Sequence, residues 1–254
     1  MSGWAYLDHP APIAFAHRGG ALDAPENSME AFDAAVRLGY RYLETDVHLT
    51  ADGVVVALHD ASLDRVADRS GAVADLTWAE VSGARIGGVG TIPRLDDLLT
   101  SFPRARFNID PKSDAVLEPL LERLQASHAL ERVCIGSFSD RRVARAAERL
   151  GPSLCTSPGP RGIARLRAAS VGAPVGAVTG GCVQVPTRAR GVTIVTERFI
   201  REVHRRKMAV HVRTIDDPDE MHRLLDLGVD GIMTDKPRVL REVLEARGAW
   251  VSDR

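Results

Sequence analysis

Two short runs hold the side chains best suited to chemistry: Ala16-His17-Arg18-Gly19 and Leu43-Glu44-Thr45-Asp46-Val47. Each sits on or just past an apolar stretch that reads as a β-strand. An imidazole, a guanidinium and two carboxylates are therefore expected at the ends of neighbouring strands. Imidazole moves protons near neutral pH, carboxylates hold hard cations, and guanidinium neutralises phosphate. Together they suit metal-assisted phosphate-ester chemistry.

Glu44 and Asp46 are two apart in a strand, so the pleat puts both on one face. Inside a parallel barrel that face is the lumen, where two unpaired carboxylates repel each other and a divalent cation relieves the cost. Asn108-Ile109-Asp110-Pro111-Lys112 repeats the pattern, with Asn108, Asp110 and Lys112 on a shared face. Asp110 is the natural third oxygen ligand. An all-oxygen set suits magnesium or calcium better than zinc. The plainer alternative at this strand end is a Lys112–Asp110 ion pair. His17 and His59 both end apolar strands and supply the acid and the base that phosphodiester cleavage needs. Arg18 and Lys112 are the candidate phosphate clamps. Gly19-Gly20 lets the backbone approach a ligand closely. Asn27 reads as a helix cap and Glu26 as a partner of Arg18 or a metal ligand. Asp60 points away from His59 if the strand stays regular.

The elements that must position these groups alternate between short apolar runs and longer amphipathic ones. Strands are expected at Ile13 to His17, Tyr42 to Val47, Val54 to Leu58, Ala105 to Asp110, Val133 to Ser137, Ser153 to Thr156, Cys182 to Val185, Ala209 to Arg213 and Gly231 to Thr234. Asn27-Ser28-Met29-Glu30 reads as a capping box with Asn27 as the cap. Residues 61–90 break the rhythm, being rich in Asp, Arg, Ser and Gly, and read as an excursion too short to bury a core of its own. About eight strand–helix units in 254 residues predict an α/β fold: a single-domain TIM-type (β/α)8 barrel with a small insertion after the second strand. An open doubly wound sheet is disfavoured, because no Gly-x-Gly-x-x-Gly run follows the first strand.

The formal net charge of −1 gives no global field toward nucleic acid or anionic lipid. No run of apolar residues is long enough to span a membrane, and the first residues do not read as a secretion signal. Cys134, Cys155 and Cys182 lie far apart in sequence, show no zinc-ligand spacing, and read as buried free thiols in a reducing compartment. A cytoplasmic location is expected. The sequence leaves the oligomeric state open.

The runs His17-Arg18-Gly19, Pro25-Glu26-Asn27-Ser28, Glu44-x-Asp46-Val47, Asp52-Gly53, His59-Asp60, Asn108-Ile109-Asp110-x-Lys112, Ile92-Pro93 and Gly231-Ile232-Met233-Thr234-Asp235 together resemble the glycerophosphodiester phosphodiesterase family. The resemblance extends from about Ile13 to Leu244. It implies a barrel with an insertion at residues 61–90, and one divalent cation, Mg2+ or Ca2+, held by Glu44, Asp46 and Asp110. It further implies His17 and His59 as acid and base, and Arg18 as a phosphate contact. The implied reaction cleaves a small glycerophosphodiester to glycerol 3-phosphate and an alcohol; in related enzymes the substrate's own glycerol hydroxyl can attack first. Two positions depart from the pattern. Asp110 stands where the family often has Glu, one methylene longer. Arg213 stands where it usually has Trp, which points to a more anionic or bulkier polar head group. Head-group release from lysophospholipids and silent phosphate binding are the alternative functions. A Schiff-base lyase would need Lys112 as its lysine.

Overall fold

The computed structural model describes residues 3–10 and 12–251. Eight parallel strands form a nearly closed barrel: β1 (Ile13–Ala16), β2 (Tyr42–Leu49), β3 (Arg106–Pro111), β4 (Val133–Ile135), β5 (Cys155–Thr156), β6 (Cys182–Val185), β7 (Ala209–Val212) and β8 (Gly231–Thr234). Apart from β5 and β6, consecutive strands pair in parallel register, and β8 returns to β1 through Ile13↔Gly231 to Ala16↔Thr234. The seam between β5 and β6 has no strand ladder. It is bridged by Gly181 N donating to the Thr156 carbonyl at 3.0 Å and Gln184 N donating to Ser157 Oγ at 3.1 Å.

Each strand is followed by an outer helix: α1 (Met29–Arg37), α2 (Leu95–Ser101), α3 (Leu117–Ala126), α4 (Asp140–Leu150), α5 (Pro160–Ala169), α6 (Glu197–Arg205), α7 (Pro218–Asp226) and α8 (Pro237–Ala246). Apolar residues at i, i+3 and i+4 give each helix one inward face, as in Leu117, Leu120, Leu121 and Leu124 of α3. These faces pack on the outward side chains of the strands, such as Leu43, Val47, Phe107 and Ile109, in the main core. A second cluster fills the N-terminal end of the lumen, where Phe15, Tyr42 and Met233 meet the three cysteines. Tyr6 and Leu7, from the segment before β1, close that end, with Tyr42 Oη donating to the Tyr6 carbonyl at 2.7 Å.

One local expectation, the helix cap, differs from the structure, which also shows how two other segments are used. The cap of α1 is Ser28, whose Oγ accepts from Ala31 N at 3.1 Å. Asn27 is instead fully buried against β2, because its amide finds polar partners there. The run at Val54 to Leu58 is a strand (Val55–Ala57) but not a barrel stave, since the Asp52-Gly53 turn folds it back antiparallel onto β2. The excursion at 61–90 does bury apolar groups: Leu63, Val73, Val81 and Ile86 form a satellite core with Val56 and Leu58 of that hairpin. Borrowing one face from the hairpin overcomes its shortness.

Candidate active site

The chemistry-bearing side chains meet at the C-terminal ends of the strands, where barrel active sites lie. Period two along β2 turns Glu44 and Asp46 into the lumen, and register sets Asp46 beside Asp110 of β3. All three carboxylates are buried. At the end of β1 the chain leaves the sheet in a tight turn, His17–Gly19, with Arg18 at φ 51°. A left-handed arginine is strained; here the Arg18 amide donates to Glu44 Oε2 at 3.1 Å and its carbonyl accepts from Asn27 N at 2.8 Å. Gly19 follows at φ 81°, where a Cβ would lie 2.7 Å from that of Ala31. Only glycine lets this turn sit on α1.

His17 Nδ1 donates to Asp235 Oδ1 at 2.6 Å, which leaves Nε2 facing Glu44 Oε2 at 3.7 Å. Burial resists a charge on this imidazole, but Glu44 and the hydrogen bond to Asp235 raise its pKa above the usual value. Asp235 is itself placed by Asp216, whose Oδ1 accepts from the Asp235 amide and from Thr234 Oγ1, both at 2.8 Å. His59 follows the hairpin strand, and its Nδ1 donates to Asp60 Oδ1 at 2.6 Å. The pleat no longer applies past Ala57, so Asp60 does reach its neighbour, contrary to the expectation from a regular strand. His48 Nε2 donates to the His59 carbonyl at 3.1 Å and steadies that loop. Arg65, from the excursion, pairs with Asp60 and with Glu26.

Cations and carboxylates interleave. Lys112 Nζ lies 2.7 Å from Asp46 Oδ1 and 3.1 Å from Asp110 Oδ2. Arg18 Nε lies 3.2 Å from Asp46 Oδ2, and its Nη1 is 3.1 Å from Glu26 Oε1. Burial, with the nearby Asp46 carboxylate, pushes the Glu44 carboxyl up to about 7. Burial also raises Asp110, and Lys112 only partly offsets it. Asp46 ends below its usual value because Lys112, foremost, and Arg18 outweigh its burial. Lys112 itself is raised, as the Asp46 and Asp110 carboxylates overcome its burial. Glu44, Asp46 and Asp110 line one mouth, but they are not a trio whose ligand oxygens all lie within 4.8 Å of one another. Arg213, beyond β7, stacks over the exposed Phe138 ring, 5.0 Å from its centroid.

All eight side chains expected from sequence thus stand at one end of the barrel. Sequence reasoning did not assign Asp235, Asp216, His48 or Asn27 to the site. His48 carried a usable signal, being two residues beyond Asp46 on the same strand face. The fold and this set of groups define a (β/α)8-barrel hydrolase with a charged, imidazole-bearing mouth. The chain belongs to the glycerophosphoryl diester phosphodiesterase family, whose sequence model matches residues 17–239. The "Probable glycerophosphodiester phosphodiesterase 2" of Mycobacterium tuberculosis is 44% identical over 251 residues, covering 96% of this chain and 95% of that one. The glycerophosphodiester phosphodiesterase of Caldanaerobacter subterraneus subsp. tengcongensis is 29% identical over 259 residues, covering 93% and 99%. A crystal structure from Silicibacter pomeroyi shares the fold with a TM-score of 0.82 at 24% identity, covering 98% of this chain and 100% of that one. An Oleispira antarctica phosphodiesterase, solved with its product sn-glycerol-3-phosphate, has a TM-score of 0.75 at 19% identity, covering 92% and 97%. Among the described residues, no helix is long and apolar enough to cross a membrane.

Proposed function

We infer that this protein hydrolyses glycerophosphodiesters to glycerol 3-phosphate and an alcohol, with His17 and His59 as its proton-transfer groups. The observation that carries this reading is the pair of imidazoles, each fixed by an aspartate at 2.6 Å, beside buried carboxylates and two cations at one barrel mouth. A structural role needs neither the pairing nor the burial of so much charge. The names of the relatives, and the glycerol 3-phosphate held by the Oleispira enzyme, fit the same reaction.

His17 is the general acid, because Glu44 and Asp235 favour its protonated form and Nε2 is the nitrogen left for the leaving alkoxide. His59 is the base for the attacking hydroxyl, oriented by Asp60 through Nδ1. Arg18 and Lys112 stabilise the phosphoryl oxygens. Glu44, Asp46 and Asp110 fit a hard cation by donor chemistry: all are buried oxygen donors, and burial, with the nearby Asp46 carboxylate, makes Glu44 resist ionisation. Mg2+ or Ca2+ held by the three would supply Lewis-acid neutralisation of the phosphate. Lys112, 2.7 Å from Asp46 Oδ1 and 3.1 Å from Asp110 Oδ2, holds its positive charge beside these ligand candidates.

The test is glycerol 3-phosphate release from a panel of glycerophosphodiesters after chelation, with Mg2+ or Ca2+ added back. Expected are loss and recovery of turnover, and loss of activity in His17→Ala and His59→Ala. A fully active His59→Ala protein, or turnover indifferent to chelation, contradicts the mechanism. A second reading, head-group release from lysophospholipids, draws on Leu22, Val89, Phe138 and Val192. These apolar side chains are exposed in the connections that follow the C-terminal ends of barrel strands, Val192 in a short antiparallel hairpin there. A higher kcat/KM on lysophosphatidylcholine than on glycerophosphocholine would select it.

A further inference from the structure

At the other end of the lumen, Cys134 of β4, Cys155 of β5 and Cys182 of β6 come together across the barrel seam. All three thiols are free and fully buried, and their sulfurs lie within 4.8 Å of one another. Among the described residues this is the only trio of His, Cys, Asp or Glu side chains with ligand atoms that close. We propose that Cys134, Cys155 and Cys182 hold one thiophilic divalent ion of the zinc class, as a closed structural site separate from the catalytic mouth.

The spacing supports it. Tetrahedral zinc with Zn–S of about 2.3 Å requires sulfurs about 3.8 Å apart, and Cys134 Sγ lies 3.8 Å from Cys182 Sγ. A Cβ on Gly181 would come within 2.7 Å of Cys155 Sγ, so glycine alone lets β6 close on that sulfur.

Two orphaned polar side chains point the same way. Tyr6 Oη and both ring nitrogens of His211 are buried without a hydrogen-bond partner. Buried polar atoms in native proteins are rarely left so, and such an orphan is one mark of an absent ion or water. Tyr6 packs in the same buried cluster as the three cysteines, and burial first, then the three thiols with Tyr42, raise its phenol well above the usual range. The ligand set is the three sulfurs; His211, on the strand paired with β6 and in register with Gln184, stands outside that 4.8 Å group and completes a three-cysteine, one-histidine set only by a shift of its ring. Inert apolar packing of three thiols accounts for neither orphan.

On loading, three S–H bonds break, three Zn–S bonds form and three protons pass to solvent. Three thiolates and one divalent ion leave the site with one negative charge. Arg106, bonded to Tyr42 Oη at 2.7 Å and to the Tyr6 carbonyl at 3.2 Å, supplies a positive charge at that end. Tyr6 and Leu7 plug the lumen, so the ion enters as the chain folds.

The full chain is unfolded with reductant and chelator, then refolded with one equivalent of Co2+ as the spectroscopic probe. The expected result is a tetrahedral cobalt spectrum with a sulfur-to-cobalt charge-transfer band, bleached by Zn2+. The band is absent in Cys134→Ala/Cys182→Ala and retained in Glu44→Gln/Asp46→Asn. Should the double cysteine variant not fold, the wild-type spectrum decides alone, since carboxylate-bound cobalt gives no sulfur band. Refolded wild-type protein without that band overturns the proposal, as does a disulfide among the three found by mass spectrometry.

Discussion

Replacing Asp235 by Asn removes one negative charge at nearly constant shape and tests how His17 is held. Asp235 accepts the Nδ1 proton at 2.6 Å and is 21% exposed, so solvent replaces little of the contact. A hydrogen bond to a charged group is worth about 1.5–3 kcal/mol. If the protonated imidazole is the acid, that energy is lost from the transition state, which lowers kcat by ~10- to ~150-fold. The sign of the pH effect follows from the same contacts. Asp235 raises the His17 pKa against its burial, so the variant's pKa falls. The acid form then disappears at lower pH, and the basic limb of the kcat profile moves toward acid. The assay is glycerol 3-phosphate release from glycerophosphocholine across pH 5–9, roughly the span in which imidazole titrates, with circular dichroism as a fold check. A kcat within about threefold of wild type, with an unmoved basic limb, refutes the reasoning.

Four other perturbations separate the parts of the site. Arg65→Ala removes the partner that, ahead of His59, holds the Asp60 carboxyl down at about 2. Because that value is depressed on folding, the contribution is present above the unfolded pKa and lost as pH falls through the folded one. The variant therefore loses ~1 kcal/mol at neutral pH but almost nothing near pH 2, as read by urea titration at both pH values. Glu44→Gln abolishes turnover yet raises the urea midpoint of chelator-treated protein, by ~1–3 kcal/mol in stability, because a buried carboxylate facing Asp46 is neutralised; a lower midpoint contradicts this. Gly19→Ala forces a Cβ into the 2.7 Å gap at Ala31 with φ at 81°. It costs ~1–3 kcal/mol in thermal unfolding, and an unchanged Tm would dismiss the close-packing argument. Arg213→Trp exchanges the cation stacked on Phe138 for an apolar wall. It should shift kcat/KM from glycerophosphoinositol toward glycerophosphocholine by ~3- to ~10-fold; an unmoved ratio ends the head-group idea.

Much of the site was legible because strands impose period two. Glu44 with Asp46, and Asn108 with Asp110, share a lumen face for no reason beyond the pleat. The barrel followed from the alternation of apolar runs with amphipathic helices. What was missed depends on contacts that no local pattern encodes. His17 and Asp235 are 218 positions apart, so their pairing awaits closure of β8 on β1. Asn27 and Ser28 are both good caps, and only the polar edge of β2 decides which turns inward. The direction of Asp60 depended on where the hairpin strand stops. The three cysteines, spaced without any motif, become neighbours only when β4, β5 and β6 line up.

The ring of staves is complete except between β5 and β6, where a single main-chain bond and one serine hydroxyl do the work of a ladder. Local opening costs least where the fewest backbone bonds must break. While the cysteines hold no ion, the barrel therefore breathes at this joint first, far around the circumference from β1 and β2, which carry the chemistry. Thermal motion is thus channelled away from His17 and Glu44, and the same gap is the natural place to cut the chain in a circular permutant.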